Sequence, residues 1–269
     1  VSEAQRRIAV GLEYDGTRYA GWQLQPGLPT IQDAVQRALS AVADHPVTAT
    51  CAGRTDGGVH ATGQVLHFDT TAARSLRGWV LGANSLLPPD IALQWALEAD
   101  AGFHARHTAL ARTYRYCLLQ RATRPALLRD RAWWVRTPLD AAAMNAAAQC
   151  LAGEHDFSAF RAAECQSATP MRRIDSIQVT RDGPLLTIEV RANAFLHHMV
   201  RNIAGALLPV GTGEQAPGRV ASVLASRDRK LAGVTAPACG LYLYRVRYPD
   251  SLGIPEPDPA RPWAMIAGA

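Results

Sequence analysis

The sequence predicts an α+β protein made of two halves, each a mixed, mainly antiparallel sheet backed by helices. Three observations carry this. Stretches of strand-like alternation and helix-like spacing interleave along the chain. Over the first 100 residues they follow the order β-α-β-β-α-β, that of a ferredoxin-like half. Beyond about residue 110 the plan recurs loosely, without any residue-level repeat.

The elements follow in order. Arg7–Tyr14 alternates as a strand. Pro29-Thr-Ile-Gln-Asp33 opens a helix, and Ile31, Val35, Ala38, Leu39 and Val42 keep helical spacing to about Ala43. Val47–Cys51 and Gln64–Asp69 read as strands flanking a polar turn. Leu76–Leu86 reads as a helix ended by Pro88-Pro89, and Ile91–Leu97 as a strand. In the second half Thr113–Leu119 is a strand, and Asp140–Leu151 is a helix stopped by Gly153. Arg173–Arg181 and Leu185–Val190 form a hairpin around Asp182-Gly183. Leu196–Leu208 and Pro217–Ser226 are helices, and Leu241–Tyr248 is the last strand. The expected domains are 1–105 and 106–250, followed by an irregular tail, 251–269, that is rich in proline between Pro255 and Pro262.

Composition narrows the function. With 269 residues and 48% hydrophobic content, the chain can bury a substantial core. No apolar run reaches the length of a membrane span. The start, Val1-Ser-Glu-Ala-Gln-Arg-Arg7, has no apolar signal segment, so a cytoplasmic protein is expected. Cys51, Cys117, Cys150, Cys165 and Cys239 are odd in number and widely spaced, which argues against a disulfide framework or zinc knuckle. Cationic charge is concentrated: residues 101–136 hold eight arginines against Asp130 alone, whereas residues 1–100 hold seven against ten acids. Arginine pairs bidentately with phosphate and stacks on bases, so a polyanionic partner is expected. A cleft between the two sheets would place Asp56 opposite the cations of the second half.

The most informative stretch is Cys51-Ala-Gly-Arg-Thr-Asp-Gly-Gly-Val-His-Ala-Thr-Gly-Gln-Val-Leu-His-Phe68. A packed strand gains nothing from Gly-Arg-Thr-Asp-Gly-Gly, because glycine costs backbone entropy and contributes no side chain. A ligand lying close to the backbone accounts for the run, and so does an ordinary Asp-Gly turn. Arg54, a cation near the Asp56 carboxylate, favours its ionised form or can hold a phosphate, or it can simply face solvent. His104 with His107, and His197 with His198, are candidate metal ligands by type. No His-x-Glu, Cys-x-x-Cys or His-Glu-x-x-His accompanies them, so neither a metal nor a cofactor is expected.

Gly53-Arg-Thr-Asp-Gly-Gly-Val-His-Ala61 resembles the signature of the tRNA pseudouridine synthase A family. Gly11-Leu-Glu-Tyr-Asp-Gly16, Ala20-Gly-Trp-Gln23, Phe103-His-Ala-Arg106, Tyr114-Arg-Tyr116, Asn193-Ala-Phe-Leu-His-His-Met-Val-Arg-Asn202 and Gly240-Leu-Tyr242 match the family's other motifs in order. The resemblance runs from Val10 to about Pro249. It implies the pseudouridine synthase fold, two ferredoxin-like or RRM-like halves whose sheets meet at a central basic cleft. It further implies isomerisation of uridines 38, 39 and 40 in the tRNA anticodon stem-loop by a homodimer.

By this resemblance Asp56 is the catalytic aspartate, a carboxylate that attacks covalently and later leaves. Attack at C1′ of the sugar and at C6 of the base both fit. Arg54, Tyr114, Arg201 and Leu241 match supporting active-site positions: a cation, an aromatic face for an extruded uracil, a second cation and an apolar residue beneath the base. Tyr114, His60, Arg106, Arg112, Arg161, Arg172 and His198 are expected to bind RNA, His60 and His198 alternatively to satisfy backbone groups. Asp156-Phe-Ser-Ala-Phe160 and the loop from Gln166 to Arg173 resemble elements that grip the RNA arm, although their aromatics suit loop anchoring equally. Two departures stand out. Gly57 replaces a frequent Ala and should loosen the turn slightly, and Thr113 stands where a second basic residue often precedes the tyrosine. The residues alone also allow a non-catalytic RNA binder. They speak against a nucleotide-dependent phosphotransferase, since no P-loop is present.

Overall fold

The computed structural model describes residues 5–256, within which the chain is α+β. It separates into two compact units. The first comprises residues 5–112 and 243–256, the second Thr113–Tyr242. The sequence division fell at 105/106 and kept everything to 250 in the second half. The first unit instead retains residues 106–112 and takes back the end of the chain. One reason lies in the last strand: Leu110 N–H donates to Arg247 O at 2.8 Å, and Thr62 Oγ1 bonds Tyr244 O. Of the tail 251–269, only residues 251–256 lie within the described residues.

In the first unit β1 (Arg6–Tyr14) pairs antiparallel with both β3 (His60–Thr70) and β4 (Ile91–Ala99). β2 (Thr50–Cys51) adds to β3, and β10 (Leu241–Arg247) lies on the other side of β3 from β1. Helices α1 (Ile31–Ala43) and α2 (Leu76–Leu86) pack on one another. Thr30 caps α1 through Asp33 N, and Ser75 caps α2 through Gly78 N, supplying acceptors to orphan helix amides. Ile8, Val10, Leu12, Val35, Leu39 and Phe68 form the core, and Phe68 meets Trp79 edge to face at 5.0 Å. The expected strand Val47–Cys51 is reduced to two residues. α1 side chains take the preceding amides, Ser40 Oγ from Val47 and Gln36 Oε1 from Ala49, so this stretch docks on the helix rather than a neighbouring strand.

In the second unit the strand order is β5 (Ala111–Gln120), β9 (Leu185–Ala192), β8 (Met171–Asp182), β7 (Gly153–Asp156). β6 (Trp133–Val135) runs parallel to β5. α3 (Ala141–Ala148) is capped by Asp140 and packs on β8 and on α4 (Met199–Gly211); α5 (Arg219–Ser226) follows. β6 and β7 escaped the sequence reading because three or four residues show no period. α4 begins three residues later than expected because His198 is left-handed, at φ 61°, and cannot join a right-handed helix. Phe157, Phe160, Ile188, Val190, Ile203 and Leu207 are buried in this unit. No helix among the described residues is long and apolar enough to cross a membrane.

Candidate active site

The chain between β2 and β3 carries Gly53-Arg-Thr-Asp-Gly-Gly58, and its main chain is tied on several sides. Ala52 N–H donates to Val65 O at 2.8 Å, continuing the pairing of β2 with β3. Trp22 N–H donates to Thr55 O at 2.9 Å, and Gly21 and Asp56 form a single antiparallel bridge. Gly58 N–H reaches Tyr19 O at 3.2 Å. Val59 N–H donates to Asp56 O at 3.1 Å, closing a β-turn that Asp56 opens, with Gly57 and Gly58 at its corners and Gly58 at φ 77°. Ordinary turn chemistry therefore holds the Asp56 carboxylate at the start of the turn. Alternation buries Thr55, whose hydroxyl pairs with Tyr14 OH at 2.8 Å, and leaves Arg54 exposed and Asp56 half-buried.

Gly57 has room for a methyl group, since an added Cβ would stand 3.5 Å from Tyr19 O and Ala20 C, an ordinary contact. The expected loosening by Gly57 is therefore limited to its effect on the unfolded chain.

His60 is 2% exposed, and its Nδ1 accepts the Gly16 N–H at 3.1 Å. The ring thus braces the neighbouring turn and faces the protein, satisfying a backbone group. Arg112 was expected at RNA; its guanidinium donates to the carbonyls of Ala52 at 3.0 Å, Arg106 at 2.5 Å and Ala109 at 3.3 Å. It thus serves the strand end that leads into the Asp56 turn. Arg106 is exposed. Burial pushes the Cys51 thiol up to about 12 despite the nearby Arg54 and Arg106, so it stays protonated and leaves Asp56 as the nucleophile candidate of this turn.

The loop bearing Arg106 is built on histidines. His67 Nδ1 accepts Ala105 N–H, and His104 Nδ1 accepts those of Arg106 and His107. Rings 67 and 104 lie 4.7 Å apart, and rings 104 and 107 lie 4.1 Å apart. Burial, with His104 and Arg7 alongside, lowers His67 to about 4. Its folded value lies below the ordinary value near 6.5, so the stability from the neutral ring is fully present above that value. It is lost as pH falls from there towards 4. The thermal midpoint is expected to drop across this window, and to drop less in His67→Gln. Equal drops in both proteins would show that another group titrates.

In the second unit Tyr114 is buried on β5, and its ring meets Phe195 edge to face at 4.9 Å. Arg201 lies in the first turn of α4, where its Nε donates to Ala236 O at 2.8 Å and its carbonyl accepts Ala236 N–H. Beneath it Asn202, fully buried, donates to Phe160 O and accepts from Arg229 at 2.9 Å and Thr235 at 2.8 Å. Sequence reading missed this hub, although an Asn within an otherwise apolar helix is a signal that it must find polar partners. Leu241 is buried at the start of β10. His198 is left-handed ahead of α4, with its ring 3.9 Å from that of His197.

Arg161 donates to Cys165 O and Ser167 O, and Arg172 to Thr169 O, Met171 O and Ser167 Oγ, so both arginines fold the loop between them. Phe157 and Phe160 are fully buried, 6.1 Å apart. These aromatics anchor the loop to the core; stacking on a nucleic acid is closed to them.

A family model described as tRNA pseudouridine synthase matches residues 12–107 and 147–249. The tRNA pseudouridine synthase A of Legionella pneumophila (strain Lens) is 54% identical over 253 residues, covering 94% of this chain and 97% of its own. That of Aeromonas hydrophila is 55% identical over 250 residues, 93% of each chain. That of Coxiella burnetii (strain Dugway 5J108-111) is 55% identical over 250 residues, covering 93% and 96%. With most of its length matched by the family model and relatives above half identity, this chain belongs to the tRNA pseudouridine synthase family, whose enzymes are isomerases.

Proposed function

We propose that this protein isomerises uridine to pseudouridine in tRNA, at positions 38, 39 and 40 of the anticodon stem-loop, with Asp56 as the nucleophile. The observation that carries the reading is the Asp56 turn: a half-exposed carboxylate on a main chain held from both sides, in a chain whose relatives share the name tRNA pseudouridine synthase A. The reaction breaks N1–C1′, turns the base and forms C5–C1′. The carboxylate bonds to C1′ or C6 and later leaves, C5 gives up its proton and N1 gains one. Atoms and electrons balance with no redox partner, so the scheme requires neither cofactor nor metal. Arg54 and Arg201 supply positive charge, the Tyr114 ring stacks on the extruded base, and Leu241 packs beneath it. Arg106 and His198 contact RNA. His60 and Arg112 act indirectly through the backbone they hold, and Arg161 and Arg172 through the loop they shape. The protein works in the cytoplasm as a homodimer.

The test uses unmodified tRNA carrying tritium at uridine C5, with no added metal or cofactor. Release by wild type and not by Asp56→Ala is expected, with the products mapping to the three anticodon stem-loop positions. No release from folded wild-type protein would favour a non-catalytic RNA binder.

Arg121, Arg124 and Arg129 are exposed, so charge reversal at any one is expected to weaken tRNA binding and lower its salt slope by about one. Binding measured across a salt series checks this. An unchanged slope would remove the stretch from the RNA-facing surface.

A further inference from the structure

Where β2 ends, the main chain leaves the ladder at Ala52, and the next peptide groups, those of Gly53, would face the interior without a strand partner. A side chain takes the strand's place. Gln64, on β3 and 0% exposed, donates from Nε2 to Gly53 O at 2.7 Å and accepts Gly53 N–H at Oε1 at 3.4 Å. Its carboxamide thus forms one more two-way rung after the Ala52–Val65 hydrogen bond, immediately before Arg54. The same Nε2 reaches Tyr14 OH at 3.4 Å, and that hydroxyl bonds Thr55 Oγ1 at 2.8 Å. One buried amide therefore meets the turn at Gly53 and, through Tyr14, at Thr55, the residue before Asp56. An uncharged polar side chain buried this completely is costly unless every group is used, and here both ends of the amide are used.

We infer that Gln64 is a positioning residue for the Asp56 carboxylate, with Tyr14 as its relay to Thr55. The inference rests on the proposed role of Asp56. A small displacement of the reacting group costs far more in turnover than in binding, because a multi-phosphate interface does not depend on one side chain's placement.

The test is the kcat and KM for tritium release by wild type, Gln64→Met, Gln64→Glu, Tyr14→Phe and Asp56→Ala. Gln64→Met keeps length and volume but offers no hydrogen bonds; kcat is expected to fall about a hundredfold with KM nearly unchanged. Gln64→Glu is the diagnostic variant. Its ionised carboxylate has no donor for Gly53 O, whereas its protonated form has one donor and one acceptor, as the amide does. Its kcat relative to wild type is expected to recover as pH falls from about 8 to about 5.5, because burial favours the protonated carboxyl. Measured per folded protein, with the folded fraction read at each pH, that recovery in turnover separates positioning from a role in stability alone. Tyr14→Phe, which deletes only the relay hydroxyl, is expected to lose about tenfold in kcat, a cost of about 1.4 kcal/mol. If Gln64→Met does not fold, Gln64→Glu and Tyr14→Phe carry the test alone. Unchanged kcat in the folded variants, a loss expressed only in KM, or a flat pH ratio for Gln64→Glu overturns the inference. Asp56→Ala in the same assay separates the two readings: an active Asp56→Ala removes the nucleophile assignment itself, whereas an inactive one beside unimpaired Gln64 variants removes only the positioning role.

Discussion

Asp56→Asn is expected to abolish turnover, by about four orders of magnitude or more, while tRNA affinity stays within about threefold of wild type. The reason lies in what the substitution leaves alone. The bridge to Gly21 and the hydrogen bond from Val59 N–H use the main chain of residue 56, so the turn keeps its course when only a carboxylate oxygen becomes an amide. What disappears is the carboxylate proposed to bond covalently to the nucleotide and then depart. The introduced Asn would precede Gly57, a sequence prone to deamidation that would regenerate the wild-type residue, so Asp56→Ala should be run beside it. Single-turnover tritium release and filter binding on the same preparations measure both quantities. A loss of binding as large as the loss of turnover would remove the nucleophile assignment.

Gly21→Ala is expected to destabilise the protein by about 2 to 4 kcal/mol and to depress turnover further than its loss of folded protein explains. Two independent costs add. Gly21 sits at φ 106°, where an L side chain is strained. A Cβ there would also stand 2.7 Å from Thr55 O and 3.1 Å from both Asp56 C and Gly57 N, pressing on the main chain that carries the carboxylate. The neighbouring Gly57→Ala makes the contrast. Its Cβ finds only ordinary contacts, so a gain of about 0.4–1 kcal/mol from a stiffer unfolded chain is expected, with activity retained. Denaturant midpoints and kcat for the pair decide the matter. Equal tolerance at both positions would mean that the Gly21–Asp56 contact does not hold the turn.

Much of this architecture was legible in the chain. Ile31, Val35, Leu39 and their spacing placed α1 and its approximate end, and Asp140 announced the start of α3, because helix period and cap chemistry are local properties written in neighbouring residues. β3 was harder. It starts at His60, four residues before the expected start at Gln64, because His60 and Thr62 are buried polar residues that a pattern of apolar positions does not register. Likewise β2 is short because Gln36 and Ser40, on the preceding helix, take the amides it would otherwise offer a strand.

The division was sharper at the site. The sequence by itself determined the chemistry on offer, an Asp flanked by Arg54 and two glycines, and the family to which it belongs, since residue types and their order are local information. Only the tertiary structure decided which cations remain exposed. Arg54 and Arg106 face outward, whereas Arg112 spends its guanidinium on three carbonyls and Arg161 and Arg172 on their own loop. It also decided that His60 and Gln64 brace main-chain groups. A buried amide or imidazole is defined by the partner that compensates its desolvation, and that partner comes from another segment of the chain.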